Sequence, residues 1–229
     1  MLKKIALSLI VSSSLFASEK IFVVERESSS IAIIENDKFK NRMENFRNTN
    51  HSVVKFYKDE AYAISRDGYV IKFDPKKEII EAEYKTSKSA IGFEISEYFV
   101  AVANYDDKSV DVLTKDLKPL KKIVTNSRNV GIKLYKNYMI FSQMDSDIIS
   151  VYKDLNEGKK EPNFVLHKEF KNAGEMPFDA MLQEQSYIMG FFNSAFFGVV
   201  DLEKMEYKKI DVIKEKKKQQ VLKVPHFGF

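Results

Sequence analysis

Short apolar runs broken by polar turns recur along this chain. They fall at residues 21–24, 31–34, 53–56, 69–73, 99–102, 110–113, 139–141, 148–151 and 199–201. Their length and alternation predict β-strands, and nothing of comparable length shows helical periodicity. Four stretches open alike: HSVVKFYKDEAYAIS, SAIGFEISEYFVAVA, RNVGIKLYKNYMIFS and FDAMLQEQSYIMGFF. Each reads as an apolar strand, a polar turn, then a tyrosine (Tyr62, Tyr98, Tyr138, Tyr187) leading a second apolar strand. A further turn (RDG, NYDDKS, MDSD, FNSA) leads to a third strand, in YVIKFD, VDVLTKD, IISVYKD and FGVVDLE. A fifth unit, IFVVERESSSIAIIEND, has the later strands and lacks the first. Antiparallel units repeating at about 40 residues predict an all-β fold, a β-propeller of four-stranded blades. Residues 38–50 read as a connection between blades, and residues 153–162 as an inserted loop. In a propeller the inner-strand entrances gather round one central face, so residues at that repeat position converge.

The N-terminus has a different pattern. Lys3 and Lys4, an apolar run over residues 5–16, and the small Ala17 before Ser18 read as a signal peptide over residues 1–17. The expected destination is the periplasm. The run is shorter than the roughly 20 residues of a permanent span, although Leu15 near the cut leaves an uncleaved anchor open. Residues 18–229 are then one domain. The chain has no cysteine. Disulfides, a lipoprotein anchor, cysteine metal sites and covalent c-type haem are thereby excluded. With 37 Lys and Arg against 33 Asp and Glu, there is no broad basic surface, and no nucleic-acid partner is expected. The basic run 214–218 contains Glu215 and reads as a solvated loop. Eight glycines are few for a turn-rich fold; Asn, Asp, Ser and Lys are expected to serve in hairpins that need few positive backbone angles.

Three histidines are present. His51 and His226 stand at inner-strand entrances and would face a shared pocket, either as ligands or bonded to loop carbonyls. His167, flanked by charge in FVLHKEF, reads as a blade-surface residue. The chain has no glycine-rich dinucleotide fingerprint, no phosphate loop and no Ser-His-Asp arrangement supported by the repeat. NAD and flavin are not expected.

At this point specific segments resemble a known family. NHSVVKFYKDEAYAISRDGYVIKFD resembles the part of the haem d1 propeller that carries the proximal haem histidine, followed by an arginine-aspartate-glycine turn. EYFVAVANYDDKSVDVLTKDLKPLKKI is similar to the next blade. The VVERE opening and the final VPHFGF fit the periplasmic haem d1 biosynthesis branch (NirF-type) better than the d1 domain of cytochrome cd1 nitrite reductase. The resemblance covers residues 19–229.

It implies haem d1 or dihydro-haem d1 as the bound group, with His51 as the iron ligand. Arg66, Arg26 and Tyr105 then match residues that hold the haem, the arginines through its carboxylates and the tyrosine over the macrocycle. The plainer readings are an Arg66–Asp67 pair, an Arg26 pair with Glu25 or Glu27, and a turn aromatic. Asp179 resembles a family acid suited to general base work, or caps a turn. His226 would lie opposite His51. The implied activity is dehydrogenation of a propionate side chain of dihydro-haem d1 to the acrylate. Its implied partners are the haem d1 precursor, a periplasmic electron acceptor, and other haem d1 maturation proteins or nitrite reductase. Two alternatives stand beside it, a non-catalytic haem d1 carrier and an exported propeller that binds a protein. Family members have eight blades and this chain has about five units, so an open arc and an incomplete copy are expected. No arginine closely follows His51, where Ser52, Val53 and Val54 stand instead; this weakens a nitrite reductase reading.

Overall fold

The computed structural model describes residues 19–211. The leader, the basic run, the terminal 221–229 segment and His226 lie outside the described residues. The first sheet holds β1 (Lys20–Glu25), β2 (Ser30–Glu35) and β3 (Lys38–Met43), in that order. Four sheets of four strands follow. They are β4 (Val54–Tyr57), β5 (Glu60–Ile64), β6 (Tyr69–Asp74) and β7 (Ile79–Lys85); then β8 (Ala90–Ile95), β9 (Phe99–Asn104), β10 (Ser109–Thr114) and β11 (Pro119–Val124). The last two are β12 (Asn129–Tyr135), β13 (Tyr138–Gln143), β14 (Ile148–Asp154) and β15 (Phe164–Phe170), and β16 (Pro177–Gln183), β17 (Ser186–Phe191), β18 (Phe196–Asp201) and β19 (Glu206–Asp211). Every sheet is an antiparallel meander, and the five form an open arc of propeller blades.

The core is divided among the gaps between blades. Ile31, Ile33 and Met43 of blade 1 pack on Ala61, Ile71 and Phe73 of blade 2. Tyr62 and Val70 meet Phe93 and Val102 across the next gap. Ala101 and Val112 meet Ile132 and Phe141 across the third, and Ile140 and Ile149 meet Tyr187 and Met189 across the fourth. The middle strands of each blade are buried on both faces, which is why β9 reads as a continuous apolar run rather than an alternating one. Among the described residues β4, β8, β12 and β16 are the inner strands. They occupy one edge of each four-stranded sheet and neighbour one another around the arc.

Three expectations need correction. Residues 38–43 are not a connection but the outer strand β3; its exposed KFKNRM carries too few apolar residues to show alternation. The four tyrosines are not equivalent. Tyr98 lies in the hairpin turn before β9, Tyr138 is the first residue of β13, Tyr187 the second of β17 and Tyr62 the third of β5. The blades match by hairpin-closing pairs, Tyr57↔Glu60, Tyr135↔Tyr138 and Gln183↔Ser186. Finally, the hairpins do need positive angles, and side-chain-bearing residues supply most of them. Ser29 (φ 56°), Lys108 (φ 50°) and Asp147 (φ 56°) end their turns as Gly68 (φ 86°) ends the RDG turn. At Gly68 no other residue fits, because an added Cβ would lie 2.1 Å from the Ser87 carbonyl oxygen.

Candidate functional site

In blades 2 to 5 the turn between the second and third strands lies beside the loop that enters the inner strand, and a repeated backbone bond ties the two. Arg66 N donates to Asn48 O (2.7 Å), Tyr105 N to Ser89 O (2.8 Å), Met144 N to Arg128 O (2.8 Å) and Phe192 N to Met176 O (3.0 Å). These donors are the first residues of their turns, and Arg26 holds the same place after β1. One rim position therefore reads, blade by blade, Arg26, Arg66, Tyr105, Met144, Phe192. The three rim residues expected from sequence occupy equivalent places.

Loop 48–52 joins the first two rim positions to His51. Thr49 Oγ1 donates to Glu25 O (2.8 Å) and Arg26 O (3.3 Å), and Asn48 N donates to Asp67 Oδ1 (3.2 Å). Asn50 N closes on Asn48 Oδ1 (3.0 Å), and Ser52 N on Thr49 O (3.0 Å). His51 sits on this pinned turn in the left-handed region (φ 61°), a region in which His is tolerated better than bulky residues. It is exposed, and its imidazole bonds to no described residue.

Neither plainer pairing of the arginines forms. Glu25 is taken by Arg42, whose Nη2 reaches Oε1 at 2.8 Å, and by Ser30 Oγ at 2.6 Å. The Arg42 and Ser30 hydrogen bonds hold its carboxyl down at about 2. Asp67 accepts the Asn48 amide instead of pairing with Arg66. Among the described residues no carboxylate lies in ion-pair contact with Arg26 or Arg66. Both are exposed, as is His51, and the backbones of both are tied to the loop that carries it.

Blades 3 to 5 present another surface. Arg128 lies at the entrance to β12 and is locked by Asp145, through Nε to Oδ1 (2.7 Å), through N to Oδ2 (2.9 Å) and through Nη2. Its Nη1 donates to Tyr105 Oη (2.7 Å), with the guanidinium 5.0 Å from that ring's centre. Phe192 pairs with Phe178, ring centres 4.6 Å apart.

Beneath the rim, one position of the inner strands carries charge. Two residues before each hairpin's closing pair stand Lys55, Glu94, Lys133 and Met181. Glu94 Oε1 accepts from Lys55 Nζ (2.7 Å) and Lys133 Nζ (3.0 Å), bridging three blades. Burial pulls the Lys55 ammonium below the usual lysine range, with Glu94 opposing. Asp179 belongs to this layer rather than to the rim. It is the third residue of β16, accepts the Ala180 amide (2.8 Å) and acts electrostatically on Lys55. His167 lies exposed on the outer strand β15, its ring 5.5 Å from that of Tyr138, as expected.

Sequence reading missed Arg128, Met144, Phe192 and the Lys55–Glu94–Lys133 bridge. The bridge had a signal, since VVKFY, GFEIS and GIKLY each place one charge inside an apolar strand. Two clefts lie apart from these residues. One of about 380 Å³ lies between the blade 3 and blade 4 hairpins at the opposite end of the inner strands, lined in part by Tyr98, Leu134 and Phe164; the other includes Arg47 and Glu83.

The family model described as "Cytochrome D1 heme domain" matches residues 16–229. Among solved structures the chain is similar to one described as dihydro-heme d1 dehydrogenase NirN in complex with DHE. The TM-score is 0.71 at 18% identity, over 84% of this chain and 44% of that one. A functionally unknown protein from Desulfotomaculum acetoxidans matches with a TM-score of 0.69 at 11% identity, over 84% of this chain and 66% of that one. The chain thus spans less than half the length of the NirN chain. No curated protein matches it by sequence.

Proposed function

The chain belongs to the cytochrome D1 heme domain family, and from that membership we propose that its loop face binds a d1-type tetrapyrrole, dihydro-haem d1, for conversion to haem d1. The observation that carries this reading is the pair of exposed arginines, Arg26 and Arg66, without an ion-pair partner among the described residues, whose backbones are tied to the one pinned loop that carries the exposed His51. The residues fit the group. Among the described residues no three metal-binding side chains gather to hold a bare ion; a tetrapyrrole brings four nitrogens of its own and asks the protein for an axial imidazole. Its carboxylates suit planar guanidinium forks. Tyr105 and Phe192, both half-buried, offer the macrocycle uncharged contacts.

The reaction we propose converts a propionate CH2–CH2 of the substrate to CH=CH, releasing two protons and two electrons. His51 holds the iron, and Arg26 and Arg66 orient the acid side chains. Asp179 or His226 would accept one proton, and the other would pass to water. The two electrons would leave to an external acceptor, one molecule of a two-electron or two of a one-electron kind. We place the protein in the periplasm after export by residues 1–17, with residues 18–229 as one domain, working beside an electron acceptor and other haem d1 maturation proteins.

The test is turnover of dihydro-haem d1 with an added one-electron acceptor. His51→Ala is expected to lose both binding and product. Asp179→Asn and His226→Ala, made separately and together, are expected to keep binding, and at least the double variant to lose product. Undiminished product from His51→Ala would refute the reading. Binding without any turnover in the wild type would leave a carrier in place of an enzyme.

A further inference from the structure

We propose that Arg128 is a positioning residue that makes the Tyr105 hydroxyl a directed hydrogen-bond donor toward a carboxylate or oxo oxygen of the ligand on the loop face. The inference rests on the tetrapyrrole reading and adds a third polar anchor, in blade 3, with the opposite task from an arginine clamp. A phenol oxygen both donates and accepts. Here its accepting side is used by Arg128 Nη1 at 2.7 Å, so the hydroxyl hydrogen is left to donate. Among the described residues its one acceptor is the buried thioether of Met144, with Oη 3.6 Å from Sδ, while Tyr105 itself is half-exposed. Sulfur is a weak acceptor, and a ligand oxygen would replace it readily.

Arg128 itself is poorly placed to serve the ligand as Arg26 and Arg66 would. Asp145 binds its side chain through two nitrogens and its backbone through a third. Ser127 Oγ in turn receives the Asp145 amide at 2.7 Å, and Met144 N returns to Arg128 O at 2.8 Å, so the whole clamp is fixed between the loop and the turn. The fixed guanidinium lies against the Tyr105 ring and sets its orientation. A directed donor on a rigid support loses little on binding.

The test uses the full chain and ferric haem d1 as the probe, with Tyr105→Phe, Arg128→Gln and the double variant, each first checked for wild-type thermal unfolding. Carbon-13 at the tyrosine ζ position gives a readout in the ligand-free protein, with the Tyr105 signal assigned by its loss in Tyr105→Phe. Arg128→Gln is expected to move the Tyr105 signal. Each single variant is expected to weaken haem d1 binding on the order of tenfold, and the double variant no further. An unmoved signal, wild-type affinity in Tyr105→Phe, or losses that multiply in the double variant would overturn the proposal and leave the tetrapyrrole reading standing. A wild-type chain that takes up no haem d1 would overturn both.

Discussion

The rim of blades 1 and 2 and the rim of blades 3 to 5 are built on one backbone plan and carry opposite chemistry. On the first side Arg26 and Arg66 have no ion-pair partner among the described residues, while neighbouring acids are occupied elsewhere: Glu25 by Arg42, Asp67 by a backbone amide, and Glu78 by Lys20 (2.7 Å) and Lys40 (2.7 Å). On the second side the arginine is the occupied group, and the rim shows the half-buried Tyr105 and Phe192, with Met144 buried between them in sequence order. An equivalent position can thus present a charge-binding fork or an apolar contact without any change in the blade. Reading the pairing around each arginine, rather than its presence, separates guanidinium groups left open from one already committed.

The largest effect that would break this comparison is on ligand affinity. Arg26→Ala and Arg66→Ala are each expected to weaken haem d1 binding by at least about tenfold, and together on the order of a hundredfold, measured by absorbance titration. Arg47→Ala serves as the contrast, because that guanidinium is already committed to Glu83 (Nε to Oε2, 3.0 Å) and is expected to leave affinity unchanged. Equal losses from all three would mean a general charge effect. Next in size is the bridge beneath the rim. Glu94→Gln removes the only charged partner of Lys55 seen at ion-pair distance among the described residues, and leaves it facing Lys133. It is expected to cost about 1–3 kcal/mol in denaturant unfolding; an unchanged midpoint would show the bridge to be solvated.

Acid should then separate the two sides. The Glu25 and Glu78 carboxyls are both lowered from 4.5 to about 2, Glu25 chiefly by Arg42 and Glu78 chiefly by Lys20. A carboxyl lowered in the folded state stabilises it above the ordinary value, and that contribution is lost as pH falls from about 4.5 through about 2. Amide exchange followed over this window is expected to rise first in β1 to β3; earlier loss of protection in β16 to β19 would contradict the assignment. The smallest effect concerns the turns. Lys108→Gly relieves a left-handed lysine (φ 50°) and is expected to stabilise by about 0.5 kcal/mol, the relief of strain exceeding the added chain entropy. Destabilisation would mean that its side chain matters more than its backbone.

The repeated units and their turns were legible because polar turns punctuate apolar strands at a regular interval; Arg26, Arg66 and Tyr105, named by family resemblance, fall in those turns, and among the described residues blade 1 has no inner strand. The outer strand β3 was not, since it is exposed and gives no alternation. Phe192 was hidden for the opposite reason, as an apolar rim residue looks like core in a sequence, whereas Met144 at the equivalent position is buried. Bulges between Ala90 and Gly92, Val130 and Lys133, and Pro177 and Ala180 shift the phase of the inner strands. Alignment by tyrosines therefore slips, and Asp179 lies two residues inside β16. Nothing in the residue order reveals that Glu25 turns to Arg42 and away from Arg26, because that choice is made by strand pairing between β1, β2 and β3.

Resonance Raman of the complex with ferrous haem d1 tests the central claim most directly, by looking for an iron–imidazole stretch in the wild type and in His51→Ala. The account predicts the band in the wild type, its shift on nitrogen-15 labelling of histidine, and its loss in the variant. A band that persists unchanged in His51→Ala would contradict it.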